Sequence, residues 1–410
     1  MSPPQPRGAP QPSLLHAFRD FFASLRLTVV LLALGIILVF WATLSQADLG
    51  VWGVQQKFFH SLFVLQAIPG TRLLLPIFPG GYLLGGFLLA NLLTAHYCRF
   101  RWTWRKSGIW LTHAGLILLI VGEFASGLTQ HDYDMTLSDG QTRNYAESQR
   151  GNELAIIDET DPKTDTVVSI PESAIAAGDP IQSPLLPFRV VTRAYFPNVD
   201  VAMRNQLPEG MPDPATAGIG TQIGLVPQPT TSKENERNLP GAYVELDAPE
   251  GSLGTFLVSS LLPLSGAPFL EQPQRFTYAG HRWEIVMRIK RRYLPFSVTL
   301  LKFSHDIYPG TTIARNFSSR IRLTKPDGSL NREVLIYMNN PLRYDGLTFY
   351  QASFANQDRT SILEVVRNPS WRLPYIACAM IALGLVIQFG LHLAGFARRR
   401  RAAALKPAAA

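Results

Sequence analysis

Cysteine is almost absent from this chain of 410 residues, which contains two, Cys98 and Cys378. Both lie within or at the end of apolar runs, so the polar region 129–373 can form no internal disulfide and offers no thiol redox pair. No CxxCH motif occurs, so covalent c-type haem attachment to this chain is not expected. HExxH, GxSxG and Walker motifs are also missing from the polar region, so the sequence indicates no hydrolase or transferase chemistry there.

Charged residues are scarce as well, at 17% of the chain against 47% hydrophobic residues. The apolar residues are concentrated in four runs, each close to the roughly 20 residues that a helix needs to cross a hydrocarbon core. We therefore predict four transmembrane α-helices, three of them N-terminal and one C-terminal, at 27–46, 80–98, 108–128 and 374–396.

The net charge of +8 comes largely from arginine and lysine beside these runs, which favours a membrane protein over a nucleic-acid-binding one. Short basic loops stay in the cytoplasm. The predicted cytoplasmic segments are the tail and interfacial helix 1–26, the basic loop 99–107 and the basic tail 397–410. The stripe of apolar residues in 14–26 is equally compatible with the start of a long first helix.

The same charge pattern places the loop 47–79 and the region 129–373 outside the cytoplasm. Within that loop, Leu49–Leu65 are predicted to form a partly buried amphipathic helix. No cleavable signal peptide is recognised, so the first span is expected to act as an uncleaved anchor. The lack of a transit-peptide composition favours a bacterial inner membrane, with a periplasmic domain at 129–373.

The region 129–373 is predicted to be a large, mostly antiparallel β domain with a sandwich-like arrangement. Its strand-like runs are short, rich in β-branched and aromatic residues, and separated by Pro, Gly, Asn and Asp turns. Residues 197–240 have little periodicity and are interpreted as a long insertion or mobile loop. The histidines of this region are isolated in sequence and are more typical of surface or packed residues than of ligands: His131, His281 and His305.

Histidines also occur inside the apolar runs, where an ionisable side chain costs free energy and indicates a functional site. His113 lies in the third run, His96 near the end of the second and His392 in the fourth, all in the predicted cytoplasmic half. The short loop between spans two and three would let His96 and His113 approach each other. The competing interpretation is hydrogen bonding to Ser, Thr or a backbone carbonyl of a neighbouring helix. His60, in the outer loop, is more typical of a solvated or interfacial side chain than of a ligand.

The longest motif lies near the end of the β region. It comprises the pair Pro295-Phe296, the turn Tyr308-Pro309-Gly310 and NNPLRYDGLTFYQ at Asn339–Gln351. Together with the run from His113 to Gly122 and the order of spans, these residues resemble the ResB (CcsB) family of the system II cytochrome c maturation machinery. Two positions differ from the family pattern. Ala-Thr-Leu-Ser replaces a Gly-Thr pair in the first span, and Asn368-Pro369-Ser370 replaces Asp-Pro-Gly before the last.

The resemblance implies haem handling. ResB-like proteins pair with a CcsA (ResC) partner that carries a WWD motif, and together they move haem across the membrane to the CxxCH thiols of apocytochrome c. This chain lacks the WWD motif, so it is expected to be a non-catalytic or accessory subunit of the haem-lyase complex. The expected cargo is non-covalently held haem b. His113 is the first candidate for its axial iron ligand and His96 the second. The motif residues expected to face the partner are Asn339, Pro341, Tyr344, Gly346, Tyr350 and Gln351.

Two other interpretations stay open. The chain can be a membrane scaffold that binds no haem and holds apocytochrome c or the partner subunit. It can also be an independent b-type cytochrome for electron transfer, which would need two histidines on facing helices, a pair that only His96 and His113 supply.

Overall fold

The structure, a computed structural model, describes residues 14–68, 71, 73–99, 103–233, 236–311, 314–355 and 359–404. The basic loop predicted at 99–107 therefore falls partly outside the described residues, as do the ends of both predicted tails. The chain divides into two units, one comprising Met1–Gln130 with Asn368–Ala410 and the other His131–Arg367.

The first unit is mainly helical. Over the described ranges the chain forms six α-helices: α1 (Leu14–Phe22), α2 (Leu25–Val54), α3 (Gly81–Arg99), α4 (Ser107–Thr129), α5 (Glu172–Ala177) and α6 (Leu373–Ala404). All but α5 belong to the first unit, which also contains a π-helical turn, Gln55–Phe59, and the paired strands β1 (Phe63–Ala67) and β2 (Leu74–Pro79).

Three helical segments of the described chain are long and apolar enough to cross a membrane: Leu25–Phe59, Trp104–Thr129 and Leu373–Arg401. Their mean hydropathies are 2.7, 1.7 and 2.1, which indicates membrane association and confirms three of the four apolar helices predicted. The fourth, α3, forms as a helix but contains Asn91 and His96, whose polar side chains lower its hydropathy. Its status as a span, and the insertion of all four helices, stay predictions.

A break at residues 23–24 separates α1 from α2. The Ser24 hydroxyl caps α2 by accepting a hydrogen bond from the Arg26 backbone N–H. Asn91 of α3, which is 3% exposed, fixes this break. Its carboxamide donates to the Phe22 carbonyl at 2.6 Å and to the Ser24 carbonyl at 3.1 Å, and it accepts from Thr28 Oγ1 at 2.6 Å. Asn91 therefore has hydrogen-bond partners for both the nitrogen and the oxygen of its carboxamide.

The outer loop differs from its prediction. The first long helix continues through a kink at Gly50, whose φ of 69° suits glycine, and ends with the π-helical turn. The amphipathic helix predicted up to residue 65 is wrong beyond Phe59, because Phe63–Ala67 pairs with Leu74–Pro79 as an antiparallel hairpin. Buried Phe58 and Val64 pack this segment against α2. The β-branched and aromatic residues of this segment fit either a strand or the apolar stripe of a helix. Pairing with Leu74–Pro79 is what makes the segment a strand.

The second unit is a large antiparallel β structure, as predicted. Its strands are β3 (His131–Ser138), β4 (Thr142–Asp158), β5 (Thr166–Pro171), β6 (Arg189–Phe196), β7 (Val199–Met203), β8 (Ile223–Pro227), β9 (Gly241–Ala248), β10 (Gly251–Ser259), β11 (Gln274–Tyr278), β12 (His281–Ile307), β13 (Ala314–Thr324), β14 (Asn331–Tyr337), β15 (Leu342–Tyr344), β16 (Leu347–Ala355) and β17 (Thr360–Arg367).

Eight of these strands follow one another in the main sheet, in the order β14-β13-β12-β4-β3-β17-β16-β15. The first and last strands meet again at a tight turn, where Tyr337 and Asn340 exchange backbone hydrogen bonds. The enclosed core draws buried side chains from all eight strands, among them Leu137, Phe296, Phe349 and Leu363. This sheet therefore curls round its own core. A second core packs the three-stranded sheet β10-β9-β6 against β4, β5 and β12, which agrees with the sandwich-like arrangement predicted.

Of the two alternatives for 197–240, the mobile loop is wrong for the paired strands, and the long insertion stays a prediction. β7 pairs with β8, and Val199, Ile223 and Leu225 are buried in a core shared with Tyr243 of β9. The Tyr243 hydroxyl accepts a hydrogen bond from the Leu225 N–H at 3.1 Å. These strands are five residues each and lie about twenty residues apart, so no local periodicity reveals them.

An acidic patch on β3 and β17 makes the stability of the second unit depend on pH. Burial raises the pKa of Glu364 and of Asp134, which face each other across the two strands, and repulsion from Asp132 raises both further. A carboxyl whose folded pKa is raised binds its proton more tightly in the native state. Its contribution to stability is therefore lost as pH rises through that raised pKa.

We expect Glu364→Gln to raise the melting temperature near neutral pH by no more than about 4 °C, because the neutral amide removes the buried repulsion. The gain should vanish at a pH below the unfolded carboxyl pKa, about 4. Thermal unfolding of the full chain across pH measures it, with exposed Glu333→Gln as the matched control. A gain that persists in acid would contradict the electrostatic explanation.

Candidate functional site

Helices α3 and α4 bring the two predicted histidines into contact. The imidazole rings of His96 and His113 have centroids 4.8 Å apart and planes inclined by 54°. Trp110, one helical turn before His113, packs its ring edge-to-face against His96 with centroids 5.1 Å apart. His96 is 8% exposed and His113 is partly buried. The approach that the short loop made possible is therefore present, with a tryptophan beside it.

Both imidazoles are fixed in the same way. The Nδ1 atom of His113 lies 2.8 Å from the carbonyl oxygen of Ile109, and that of His96 lies 3.2 Å from the carbonyl oxygen of Leu92. A carbonyl oxygen can only accept, so each Nδ1 carries the proton and donates it. In the neutral ring, Nε2 then keeps its lone pair, which is the form that binds a metal. Each carbonyl lies one turn earlier in the same helix, whereas the alternative to ligation considered from the sequence was a hydrogen bond to a neighbouring helix.

The far side of α4 packs closely against α6. A Cβ added to Gly108 would lie 2.5 Å from the Gly384 carbonyl oxygen, and one added to Gly384 would lie 2.6 Å from the Thr112 nitrogen. One turn further along, a Cβ on Gly115 would lie 2.7 Å from Ile381 Cγ1. Small residues allow this approach of the two backbones. The position of His113 is therefore set by α6 on one side and by His96 on the other.

The separation of the two rings limits how they can hold a metal. Two imidazoles that ligate one iron from opposite sides have centroids about 6 Å apart, since each metal–nitrogen bond is about 2 Å long. The observed 4.8 Å is shorter. In this arrangement one imidazole can be an axial ligand while the other packs against it. Paired ligation, which an electron-transfer b-type cytochrome would need, requires the rings to move apart.

The remaining histidines have other surroundings. His392 on α6 is exposed and contacts Gln388 through Nε2 at 2.8 Å. In the second unit, His281 bonds to Asp158 at 2.7 Å, and His305 stacks on Phe317 with ring centroids 4.6 Å apart. Among the described residues, no three His, Cys, Asp or Glu side chains form a group that could hold a metal ion.

The motif Asn339–Gln351 forms two consecutive hairpins. Asn339 takes a left-handed conformation in the turn between Tyr337 and Asn340. Asp345 and Gly346 both have positive φ and connect β15 to β16 in a two-residue loop, which is the turn type that Asp-Gly favours. The spacing of the motif therefore reflects turn geometry.

Two motif side chains point into the core of the main sheet. Tyr344 packs edge-to-face on Phe296 with ring centroids 5.0 Å apart. The Gln351 carboxamide accepts from the hydroxyl of Ser319, which is fully buried, at 2.5 Å, and donates to that of Ser361 at 3.2 Å. Asn339 and Tyr350 are exposed, and partner contact stays a prediction for these exposed positions and for Pro341 and Gly346 beside them.

Comparison with known proteins agrees with the motif. Residues 253–362 match the model of the ResB-like family. A relative, the protein NrfI of Wolinella succinogenes, is 33% identical over 93 residues, which are 23% of this chain. Over these residues the chain is similar to the ResB-like family. The aligned segment covers 10% of the length of NrfI.

The family match includes both hairpins of the motif and ends at Ile362. It does not include α4 or His113, so the role of the histidine pair depends on the geometry of the helices. His60, interpreted from the sequence as a solvated or interfacial side chain, stacks its ring on Tyr82 of α3 with centroids 5.4 Å apart and planes inclined by 14°. The spacing along the chain gave no signal for this contact.

Asn368, where the ResB pattern usually has aspartate, joins the ends of α4 and α6. Its carboxamide donates to Ser126 Oγ at 3.2 Å and to Gln130 Oε1 at 3.0 Å. Its oxygen accepts from the Ser370 N–H at 2.8 Å. A carboxylate cannot donate, so the replacement suits the acceptors Ser126 Oγ and Gln130 Oε1 at the end of α4.

Proposed function

We propose that this ResB-like chain acts in cytochrome c biogenesis as the haem-handling subunit of a system II cytochrome c synthase. With a CcsA/ResC-type membrane partner that carries the WWD motif, it moves haem b across the bacterial inner membrane. Haem is then attached to the CxxCH thiols of apocytochrome c. The chain has both termini in the cytoplasm and the His131–Arg367 unit outside.

The observation that carries this proposal is the pair of imidazoles on α3 and α4. Each Nδ1 donates to the carbonyl one turn earlier, so each neutral ring offers Nε2 to a metal. Neutral imidazole is a common axial ligand of haem iron. The aromatic ring of Trp110 beside His96 supplies an apolar wall suited to a flat macrocycle.

His113 is the ligand that we assign first, with His96 as its packing partner and second candidate. His113 lies six residues into α4, about 9 Å along the helix axis. In the proposed topology this end of α4 is cytoplasmic, so His113 is an entry-side ligand. Final attachment then falls to the partner, and the β unit organises the outer side. Haem is the cargo of this site, and the chain supplies the imidazole, its orientation and its apolar surroundings.

The test is the absorption spectrum of the purified full chain, alone and with its partner. We expect a b-type haem spectrum in the complex, and haem that is extracted intact by acidified solvent because it is not covalently bound. Absence of haem from the complex, with apocytochrome maturation intact, would contradict the proposal. Haem in the complex that belongs wholly to the partner would support the alternative, a scaffold that holds apocytochrome c or the partner.

A further inference from the structure

A second imidazole and aromatic cluster lies at the opposite ends of α3 and α4 from His96 and His113. His60 stacks on Tyr82, and Tyr82 in turn packs against Phe124 of α4 with ring centroids 5.4 Å apart. Gln56 contacts His60 Nδ1 at 3.3 Å through its carboxamide. We call His60, Tyr82 and Phe124 the outer cluster, and His96, Trp110 and His113 the inner cluster.

The outer cluster is held in place by glycines that no larger residue can replace without displacing its neighbours. A Cβ on Gly80 would overlap the carbonyl oxygen of Ser61, and one on Gly81 would lie 2.6 Å from that of Phe59. A Cβ on Gly127 would lie 2.5 Å from the Tyr82 hydroxyl and 3.7 Å from His60 Nε2. The segment that carries His60 therefore lies directly against the ends of both helices.

The two clusters are the same distance apart along each helix. Tyr82 and His96 are 14 residues apart on α3, and Trp110 and Phe124 are 14 residues apart on α4. At a rise of about 1.5 Å per residue, each interval is about 21 Å. A hydrocarbon core is about 30 Å thick. One antiparallel helix pair thus carries an imidazole with aromatic walls near each of its ends.

We propose that His60 is a second haem ligand, at the outer end of the helix pair. This inference rests on the proposed function, because it assigns a further position to the same cargo. In the structure it is Gln56 Nε2 that lies 3.3 Å from His60 Nδ1. A half-turn of the carboxamide would bring its oxygen to Nδ1, and Nε2 of the imidazole would then keep the lone pair that binds iron. Tyr82 and Phe124 add apolar surface beside the imidazole. Transfer exchanges one iron–imidazole bond for another and involves no net change of oxidation state.

The experiment uses the full chain with His96→Ala and His113→Ala together, purified in lipid discs, so that the inner cluster cannot ligate. We expect this double variant to retain part of the haem of the unaltered chain. Adding His60→Ala should lower the retained haem by roughly tenfold or more. Loss of a residue that only hydrogen-bonds to a metal ligand already lowers metal affinity by about that factor. Adding His60→Cys should change the spectrum to that of thiolate-ligated haem, since a cysteine ligand alters the iron electronically.

His392→Ala, added to the same double variant, is the matched control because His392 is exposed on α6, and it should leave retained haem unchanged. The inference is overturned if the double variant holds no haem, if His60→Ala changes nothing, or if His60→Cys leaves the spectrum unaltered. If any of these three results is obtained while the unaltered complex contains haem, the proposed function is not contradicted. An unaltered complex without haem overturns both. Elution as a single species on size exclusion verifies folding of each variant.

Discussion

Replacing His113 with alanine is expected to lower the haem content of the purified complex by about tenfold or more. Removal of a residue that only hydrogen-bonds to a metal ligand already lowers metal affinity by about tenfold, and His113 is proposed as the ligand itself. The reason is that His113 supplies a neutral Nε2 whose direction is fixed by the 2.8 Å hydrogen bond from Nδ1 to Ile109. Alanine removes the ligand but keeps the helix, because it has the highest helix propensity. The measurement is haem per chain from the absorption spectrum.

Exogenous imidazole should partly restore the spectrum of His113→Ala, since a small free ligand can enter the space that the side chain leaves. His96→Ala is expected to have a smaller effect if His96 acts by packing against His113, and an equal one if both ligate. His392→Ala serves as the matched control, because His392 is an exposed histidine on α6. Full haem occupancy in His113→Ala would remove this residue from the site.

The second large effect is expected at the contact of α4 with α6. Gly108→Leu should destabilise the helical unit, because its Cβ would meet the Gly384 carbonyl oxygen at 2.5 Å and the Gln388 nitrogen at 2.6 Å. Both are backbone atoms, so the helices themselves must separate. Overpacking of a well-packed contact costs about 1–3 kcal/mol or more. We expect a lower melting temperature in detergent, together with a loss of haem, as His113 moves with α4.

Gly390→Leu is the matched control for this substitution. It places the same side chain on α6 at a glycine whose Cβ would have no atom within 4 Å. It should change neither the melting temperature nor the haem content by a comparable amount. Equal effects of the two substitutions would indicate that leucine acts through the exposed surface and that the α4–α6 contact is unimportant.

The parts of the fold that sequence predicts are those governed by local pattern. The apolar runs predict α2, α4 and α6 because each is long and continuous, and alternating β-branched residues predict most strands of the second unit. The His96–His113 approach was predictable as a possibility from the short loop between their helices. Its spacing of 4.8 Å depends on Gly108 and Gly115 packing on α6, which no local signal reveals.

Pairing between distant residues accounts for the failures. The strands Val199–Met203 and Ile223–Pro227 have few residues each and gain their stability from a shared core with Tyr243. The hairpin Phe63–Ala67 with Leu74–Pro79 reads equally well as part of an apolar helix. Asn91 and His60 looked like ordinary polar side chains, and only the fold shows that one fixes the α1–α2 break and the other stacks on Tyr82.

The placement of the two cysteines has a consequence for any client whose own thiols must stay free. Cys98 lies on α3 and Cys378 on α6, and both are free thiols of the helical unit. The His131–Arg367 unit contains no cysteine at all. Thiol–disulfide exchange needs an attacking thiolate and passes through a mixed disulfide. A cysteine-bearing polypeptide that touches this β unit therefore cannot be trapped on it by a covalent bond, and it leaves with its sulfur atoms in the state in which they arrived.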